Sequence, residues 1–522
     1  MTTWKVLPRS AGLLTVILLA VACAGPTPTL RPPISSTDWS GHEEIFAAGY
    51  RGISEKYIEP VPVSDIAVGG LEGFSSIDPA LQATRAGATI RLLLNGEQIH
   101  SMPAPAADDP RGWAVLTAAF EKNAKARSPL MRKASDEKVY EAVFDGVLSD
   151  LDVFSRYAGA EEARRNRARR DGFGGIGIRF KLVGGKPIIT SVMPETPAAN
   201  VALQVNDEIT HIDGVALLNA KTLDVVKKLR GPTNSEVRLR IYRRTSDRTI
   251  NVAMERSHIV PSTVTASLQG GISLLKISSF NQGTARSVAK ELRKAKRTRG
   301  GKLKGLVIDL RGNPGGLLKQ SVKVADLLLT HGHILSTRGR HPDSLHHYEA
   351  GGRDLLGGLP TAVLIDGKSA SASEIVAAAL QDRGRAVIIG TSSFGKGTVQ
   401  TVIRLPNDGE VTLTWSRFLT PSGYVLHGLG VRPVICSTDQ ASGYDQLIRK
   451  TVRQGPKSRA IFASWRTTGV DDKAARQTLR GSCASVRRKG KAEMEIASIL
   501  LADQDLYQQA IDITATLSQA QK

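Results

Sequence analysis

Aromatic residues are scarce in this chain, at 5% of its composition, and no nucleic-acid-binding motif accompanies its strong positive charge. The net charge is +21, and basic residues cluster at Arg164–Arg170 and Arg487–Lys491. A nucleic-acid-binding domain usually combines a basic surface with a recognisable motif. We therefore expect no nucleic-acid partner, and we interpret the clusters as a solvated helix face or as residues attracted to an anionic surface.

The chain also lacks a plain membrane-spanning run. The apolar stretch nearest the N-terminus, Ala11 to Ala22, is too short to cross a bilayer comfortably. Lys5 and Arg9 precede it, and a basic start followed by a short apolar run is typical of an export signal. Residues 1–23 therefore predict a signal peptide and a protein of the periplasm or cell envelope.

The residues around Cys23 leave two kinds of signal open. Cys23 follows "LAVA", which resembles the lipobox of bacterial lipoproteins except that Ala20 stands where Leu is usual. On this interpretation Cys23 is lipidated after cleavage and anchors the protein to the membrane. On the other interpretation cleavage follows Ala24. In both cases residues 24–36, which contain four prolines, predict a stiff tether.

Cysteine occurs only three times. With Cys23 assigned to the signal, Cys436 and Cys483 remain, an even number in an oxidising compartment. This count predicts a disulfide between Cys436 and Cys483.

A complete phosphate-binding loop is missing as well. Gly390-x-x-x-x-Gly395-Lys396 has the spacing of such a loop, but Gly397 occupies the place of the Ser or Thr that would ligate Mg²⁺. The following "TVQTVIRL" alternates like a strand, whereas a phosphate loop opens a helix. We expect no nucleotide and no other cofactor. Taken alone, the motif would be a Gly-rich turn with a solvated lysine.

Length and patterning divide the chain into regions. Its 522 residues, 41% hydrophobic and 23% charged, are typical of a globular protein with several domains. Residues 37–170 look mostly helical, residues 171–257 carry short strands around one helix, and residues 437–522 are again helical. Between them, residues 258–436 alternate strands with helices. Such alternation predicts an α/β fold with parallel strands.

Three Gly-rich or Ser-rich turns follow strands of the alternating region, "RGNPGG", "GKSASASE" and "TSSFGKG". Because the carboxyl ends of parallel strands share one sheet edge, we expect these turns to lie together. A serine exposed at a strand-to-helix turn can be a nucleophile when a base removes its proton, whereas other serines of the run cap the helix. No histidine lies in these turns, so Lys396, neutral if burial lowers its pKa, is the candidate base. Gln400 projects to the same strand face as Lys396 and could hold its amine.

The stretch from Gly367 to Gln400 resembles the catalytic core of the carboxyl-terminal processing (tail-specific) serine proteases, and "VIDLRGNPGGLL" and "TPSGYVLHGLGVRP" resemble their flanking motifs. The similarity extends from about Phe144 to Pro433. It implies a ClpP/crotonase-like α/β protease core with a preceding PDZ-like β domain and helical N- and C-terminal regions.

The resemblance also assigns roles within the turns. It implies that Ser371 is the nucleophile, Lys396 the general base and Gln400 the support of the lysine. Backbone amides form the oxyanion hole of this family. The matching positions are Ala372 and either Gly315 or Gly316.

The strand-rich region resembles a PDZ domain, in which a glycine loop receives a peptide's C-terminal carboxylate and the next strand, here Ile176 to Phe180, pairs with the peptide. Two positions depart from the usual pattern, since Asn206 and Asn234 stand where glycine is common. Asn tolerates a left-handed conformation better than most residues, so we expect both turns to form. A small β domain that only packs remains the alternative. The implied peptide-binding residues are Gly174, Gly175, Ile176, Gly177 and Ile178.

Several other polar residues receive no chemical role. Five histidines crowd one segment, but no carboxylate or cysteine spacing completes a recognised metal site there, and the family needs no metal. His427 lies in a "HGLG" turn that matches a structural turn of the family. Arg311 and Asn313 are expected to hold the "RGNPGG" turn. The five histidines are His331, His333, His341, His346 and His347.

Together these patterns predict an exported serine endopeptidase that cleaves proteins at or near C-terminal tails recognised by its PDZ domain. Its expected partners are proteins with exposed tails, and homo-oligomerisation through the helical flanks remains open. One alternative is an envelope scaffold that binds C-terminal peptides while its catalytic core is idle. Another is the same fold acting on small acyl compounds.

Overall fold

The computed structural model describes residues 39–298, 303–438, 443–488 and 490–515. The predicted signal peptide, the tether and the lipidation site Cys23 lie outside these residues. Within the described ranges, none of the helices combines the length and the apolar character that crossing a membrane requires.

The N-terminal region is helical on either side of a small sheet. Its helices enclose a core that contains Phe46, Trp113 and Phe144, each 0% exposed. They are α1 (Trp39–Lys56), α2 (Val63–Glu72), α3 (Pro110–Arg127), α4 (Pro129–Lys133), α5 (Asp136–Ser149) and α6 (Ala160–Arg170).

The prediction of a mostly helical region is wrong for residues 81–103. These form an antiparallel three-stranded sheet of β1 (Leu81–Ala86), β2 (Thr89–Leu94) and β3 (Glu97–Pro103). The β2–β3 turn consists of Asn95 and Gly96, at φ 53° and 84°. Asn-Gly is the strongest short-range hairpin signal, because both central residues of a type I′ turn need a positive φ. The sequence analysis did not identify this hairpin, because the helical patterns on either side dominated the interpretation.

The second region folds as a PDZ-like domain. Its sheet is antiparallel throughout. The strand order is β11-β10-β8-β7-β6, so β6 lies at one edge. A separate ribbon of β5 and β12 joins the two ends of the domain. The elements are β5 (Phe173–Gly175), β6 (Ile178–Val183), β7 (Lys186–Val192), α7 (Pro197–Asn200), β8 (Glu208–Ile212), β9 (Val215–Ala216), α8 (Thr222–Leu229), β10 (Glu236–Arg243), β11 (Arg248–Glu255) and β12 (Ser257–Ile259).

Both unusual asparagines of this domain take the left-handed conformation. Asn206 has φ 73° and Asn234 has φ 67°. The turns therefore form as expected, with asparagine in the place of glycine. Asp207, beside the first, is 1% exposed and accepts two hydrogen bonds from Arg243, at 2.9 and 2.8 Å.

The alternating region builds a six-stranded sheet in the order β13-β14-β15-β18-β19-β22. Strands β14, β15, β18 and β19 run parallel, as predicted. The short strand β22 adds a further parallel strand, and β13 adds an antiparallel edge. The elements on or beside this sheet are β13 (Val264–Gln269), β14 (Ile272–Ile277), α9 (Thr284–Thr298), β15 (Gly305–Asp309), α10 (Leu318–Asp326), β18 (Thr361–Ile365), α11 (Ala372–Asp382), β19 (Val387–Gly390) and β22 (Ile435–Cys436).

A second, antiparallel sheet has the order β17-β16-β21-β20. A short strand of the N-terminal region, β4 (Arg156–Ala158), pairs with β21 and so joins that region to the core. The strands are β16 (His333–Arg338), β17 (His346–Glu349), β20 (Thr398–Arg404) and β21 (Glu410–Leu419).

The C-terminal helices form a layer of the core. Residues alternate along β15, so that Ile308 packs with the helices α9 to α11 while Val307 packs with the C-terminal helices. A parallel sheet needs cover on both faces, and residues 443–515 supply the second cover. The helices are α12 (Tyr444–Arg453), α13 (Gly455–Thr467), α14 (Lys473–Gly481), α15 (Ala492–Ala502) and α16 (Gln504–Ala515).

A disulfide joins Cys436, the last residue of β22, to Cys483, which follows α14. The two sulfur atoms are 2.01 Å apart and the two Cα atoms 5.9 Å apart. The bond therefore links the edge of the central sheet to the C-terminal helical layer.

Candidate active site

The three turns singled out in the sequence contact one another at the carboxyl edge of the central sheet. The amide of Ala370 donates to the carbonyl of Asn313 at 3.0 Å, which joins the "SASAS" turn to the "RGNPGG" turn. The amide of Phe394 donates to the carbonyl of Ser369 at 3.0 Å, which joins the "SASAS" turn to the "SSFGKG" turn. This arrangement follows from the parallel strands, whose carboxyl ends all reach the same edge.

Only one serine of the "SASAS" turn is free for chemistry. Ser369 is 0% exposed and its hydroxyl donates to the carbonyl of Leu310 at 2.9 Å. Ser373 is also 0% exposed, and its hydroxyl donates to the carbonyl of Asn313 at 3.1 Å. Ser371, between them, is only partly buried. The geometry therefore singles out Ser371 as the accessible hydroxyl.

The backbone of Ser371 takes an unusual conformation. Its φ is 54° and its ψ is −113°, at the residue immediately before helix α11. A positive φ costs free energy for a residue with a side chain, and such strain collects at functional sites where the surroundings hold it. A serine on a strained turn that leads into a helix resembles the arrangement called a nucleophile elbow.

Glu374 holds the serine turn and the lysine turn together, a role that sequence reasoning missed. Its carboxylate is fully buried and accepts the amide of Ser371 at 2.7 Å and the amide of Lys396 at 2.9 Å, both on Oε2. The Oε1 atom accepts the amide of Gly395 at 2.7 Å and the hydroxyl of Ser393 at 2.5 Å. Burial raises the pKa of Glu374, and the four hydrogen bonds oppose that rise. The signal was present, because Ser371-x-x-Glu374 is a capping-box pattern.

The amine of Lys396 lies in a partly apolar setting. Its Nζ atom is 4.5 Å from the centre of the Phe154 ring, which comes from the loop before β4. Burial lowers the pKa of Lys396, and Arg156 lowers it further, while Asp152 and Glu374 raise it. The net direction is downward, which favours the neutral amine that a general base requires.

Ser371 and Lys396 are brought to adjacent turns without a hydrogen bond between their side chains. Among the described residues, neither the Ser371 hydroxyl nor the Gln400 amide bonds to the Lys396 amine. The Gln400 side chain instead donates to Thr398 Oγ1 at 2.9 Å and to Thr414 Oγ1 at 3.3 Å. In this conformation the Lys396 amine lies against the Phe154 ring, and the Gln400 side chain forms its hydrogen bonds within the β20–β21 strand pair.

The glycine turn beside Ser371 presents backbone donors. The amide of Gly315 already donates to Asn313 Oδ1 at 2.9 Å. Within the described ranges, the amides of Gly316 and Ala372 make no hydrogen bond. A Cβ atom added to Gly315 would lie 2.9 Å from Ser371 Cβ and 3.0 Å from the nitrogen of Ala372, so this glycine lies directly against the serine turn. Ala372, which directly follows Ser371, and Gly316, which directly follows Gly315, therefore keep free amides in the two turns.

Arg311 and Asn313 hold the glycine turn, as their sequence context suggested. Arg311 pairs with Asp309 at 2.9 Å and with Glu493 at 2.9 Å. Asn313 is 0% exposed, and its side chain bonds to the amide of Gly315 and to the carbonyl of Ile277, the latter at 2.8 Å.

The five crowded histidines do not converge on one point. His333 and His347 stack at 4.4 Å across β16 and β17, and the Ser336 hydroxyl bridges them. His427 lies elsewhere, with its ring 6.1 Å from that of Phe154. Burial is the largest cause that lowers the pKa of His427, followed by the nearby Arg417.

A different cluster, in the N-terminal region, has ligand atoms close enough for a metal ion. It consists of His42, Glu121 and Asp136, the single group of this kind among the described residues. The Lys125 ammonium lies 2.8 Å from Glu121 and 2.7 Å from Asp136. A protein cation therefore already balances both carboxylates, and we assign no metal there.

A narrow cleft of about 80 Å³ lies between β6 and α8, beside the implied peptide-binding residues. Four of them line it, whereas Gly174 pairs with His258 in the β5–β12 ribbon. Strand β6 begins at Ile178, two residues later than the sequence suggested, and it is an edge strand of its sheet, with one side not paired to another strand of that sheet. The lining residues are Phe173, Gly175, Ile176, Gly177, Ile178, Phe180, Val226, Leu229 and Arg230.

Two regions of the chain match known protein families. Residues 271–436 match peptidase family S41, and residues 174–254 match the PDZ domain. The chain is 37% identical over 339 residues to a carboxy-terminal-processing protease of Bartonella bacilliformis, a match that covers 63% of this chain and 78% of that protein. The chain belongs to the carboxy-terminal processing proteases of peptidase family S41. It is accordingly a serine peptidase that carries a PDZ domain.

Two further similarities are to proteins described as C-terminal processing proteases. The carboxy-terminal processing protease CtpB of Bacillus subtilis is 34% identical over 318 residues, covering 58% of this chain and 64% of that protein. Among solved structures, the photosystem II D1 C-terminal processing protease is 22% identical and matches 77% of this chain and 92% of its own, with a TM-score of 0.38.

Proposed function

We propose that this S41 peptidase is exported and cleaves proteins at or near their C-terminal tails, with Ser371 as nucleophile and Lys396 as general base. The observation that carries the proposal is the carboxylate of Glu374, which accepts the backbone amides of both residues on a single oxygen atom. The two turns are thereby held side by side. The disulfide between Cys436 and Cys483 supports export, because such bonds persist in oxidising compartments.

In the proposed mechanism the Ser371 hydroxyl attacks a peptide carbonyl while Lys396 takes its proton. The amine must first leave the Phe154 ring, a rotation that the flexible lysine stem allows while its backbone stays bound to Glu374. The amides of Ala372 and Gly316 receive the oxyanion, and each such donor is worth roughly 10²–10³ in rate. Lys396 then protonates the leaving amine, and water releases the acyl-enzyme.

The PDZ-like domain is proposed to hold the tail of the substrate. A peptide would extend the sheet at β6, and its terminal carboxylate would lie at the glycine loop between β5 and β6. The guanidinium of Arg230 lines this cleft at 3.8 Å from the centre of the Phe173 ring. Among the described residues it has no acidic partner, and burial lowers its pKa. A peptide carboxylate would supply the missing anion.

Two comparisons test these proposals. The wild-type enzyme should cleave a protein substrate whose C-terminal tail is unfolded. The Ser371→Ala variant should bind the same substrate without cleaving it. Equal cleavage by both proteins would refute the role of Ser371, and binding without any cleavage by wild type would favour the idle scaffold.

The second comparison tests the peptide cleft of the PDZ-like domain. Arg230→Gln should weaken the binding of a peptide with a free C-terminal carboxylate and leave the binding of the amidated peptide unchanged. Arg238→Gln is the matched control, since Arg238 lies exposed on β10 and pairs with Glu236.

A further inference from the structure

A segment of the C-terminal layer, residues 476–488, lies against the turn that carries Lys396. We call it the C-terminal clamp. Arg480 donates from Nη1 to the carbonyl of Leu429 at 2.6 Å and from Nη2 to the carbonyl of Ser393 at 3.3 Å. The Ser485 hydroxyl donates to the same Ser393 carbonyl at 3.2 Å. Two side chains of the clamp therefore bind one backbone atom of the lysine turn.

The clamp also reaches the turn that leads to Ser371. The carbonyl of Val486 accepts the amide of Gly367 at 2.9 Å and the hydroxyl of Thr391 at 2.8 Å. The amide of Arg488 donates to Asp366 Oδ2 at 3.0 Å. Asp366 and Gly367 begin the serine turn, and Thr391 begins the lysine turn. The clamp therefore contacts both the serine turn and the lysine turn, which the buried carboxylate of Glu374 also joins.

Ser393 connects these two supports. Its carbonyl accepts the bonds from the clamp, and its hydroxyl donates to Glu374 Oε1 at 2.5 Å. Glu374 in turn holds the amides of Gly395 and Lys396. A displacement of Ser393 would therefore move the backbone that carries the amine.

The disulfide anchors the clamp at the base of the lysine turn. Cys483 is a clamp residue and is 1% exposed. Its partner Cys436 pairs with Gly390, the last residue of β19, from which the lysine turn departs. The amide of Ser437 donates to the carbonyl of Gly390 at 2.8 Å. The cross-link therefore fixes the clamp to the strand pair beside the turn that it supports.

We propose that the C-terminal clamp positions the Lys396 turn for catalysis, with Arg480 as the positioning residue and the Cys436–Cys483 disulfide as its anchor. This inference rests on the proposed roles of Ser371 and Lys396. The clamp does not line the peptide cleft of the PDZ-like domain, so its loss should affect turnover and leave tail binding unchanged. A catalytic group misplaced by about 1 Å can cost as much as 10²-fold in rate.

Loosening the turn should also change the pH profile. The groups that face the Lys396 amine are Asp152 and Arg156 from the N-terminal region and Glu374 from α11, besides the ring of Phe154. None of them belongs to the clamp, but Arg480 interacts electrostatically with Glu374, so loss of its positive charge also favours the protonated amine. Water that enters a loosened turn reduces the burial of the amine, and its pKa then rises toward the ordinary lysine value.

The first experiment compares Arg480→Gln with Arg480→Lys on a tail-bearing peptide substrate. Arg480→Gln should lower kcat about tenfold with KM nearly unchanged, and should move the rise of kcat/KM to higher pH. Arg480→Lys, which retains a cationic donor, should recover part of kcat. Arg449→Gln is the matched control, because Arg449 is an exposed arginine of α12 paired with Asp445 and should behave as wild type. A wild-type kcat and pH profile for Arg480→Gln would overturn the proposal.

The second experiment guards against a variant that does not fold. Ser485→Ala removes one bond to Ser393 and should lower kcat by a smaller factor, again without a change in KM. Cys436→Ser combined with Cys483→Ser should lower kcat like Arg480→Gln, in protein that still binds tail peptides. Normal turnover in both variants would refute the clamp. If wild type is inactive, or Ser371→Ala is active, the proposed function has failed instead, so the two failures are distinguishable.

Discussion

The amine of Lys396 lies 4.5 Å from the centre of the Phe154 ring, so a residue of the N-terminal region forms part of the setting of the candidate base. Phe154 belongs to a short loop that Asp152 holds in place, since its carboxylate accepts the amides of Phe154 and Ser155 at 2.8 and 3.2 Å. The Phe154 ring thereby partly shields the amine of Lys396 from water.

We expect Phe154→Ala to shift the pH dependence of catalysis. Burial is the largest cause that lowers the pKa of Lys396, and removing the ring admits water and raises that pKa. Since the base acts when neutral, kcat/KM rises as pH increases through this pKa, and the rise should move to higher pH. Activity at neutral pH should therefore fall. The measurement is a pH profile of kcat/KM, with Val153→Ala, a change at a 91% exposed side chain, as control.

Replacing Glu374 by Gln should weaken both turns together. The amide group offers one oxygen in place of two, so part of the four hydrogen bonds is lost and a donor faces the remaining backbone amides. We expect a loss of about 1–3 kcal/mol in the free energy of unfolding, together with a lower kcat. Denaturant unfolding and peptide cleavage test this. Full activity in Glu374→Gln would show that the carboxylate is dispensable.

Gly316→Ala should damage the proposed oxyanion site more severely than most surface changes. Gly316 has φ 142°, and a Cβ atom there would lie 2.1 Å from the carbonyl oxygen of Phe280. The turn must move, and its free amide moves with it, so kcat should fall by at least about tenfold. Gly312→Ala is an informative control, because Gly312 also has a positive φ, 73°, but has open space around it. Similar losses in both variants would indicate backbone strain as the cause.

Asn234, one of the left-handed asparagines of the PDZ-like domain, allows a test of stability alone. Asn234 has φ 67°, where glycine is at least as favourable and a β-branched residue is strained. Asn234→Gly should leave the thermal midpoint of the domain nearly unchanged, whereas Asn234→Val should cost about 1–2 kcal/mol. A Val variant as stable as wild type would contradict the conformation described here.

Local patterns predicted a large part of the fold. Alternation of strands and helices correctly indicated the parallel strands β14, β15, β18 and β19, because buried parallel strands form short apolar runs between helices. The hairpin at Asn95–Gly96 was missed although its turn signal was present, since the helical pattern on either side dominated the interpretation. The packing of the C-terminal helices on the second sheet face was not predicted, because an amphipathic helix does not reveal which surface it covers.

By itself, the sequence determined the residue types at each turn, namely the serine run and the motif of glycine and lysine. These motifs in turn indicated the family and its class of chemistry. Only the tertiary structure decided which serine is accessible, which glycine amide is free, and that Glu374, Phe154 and Arg480 converge on the lysine turn. These residues lie on α11, on the loop before β4 and on α14, and contacts between such distant segments arise from packing. Spacing along a chain records its local periodicity, whereas the burial that lowers a lysine pKa depends on everything that packs around it.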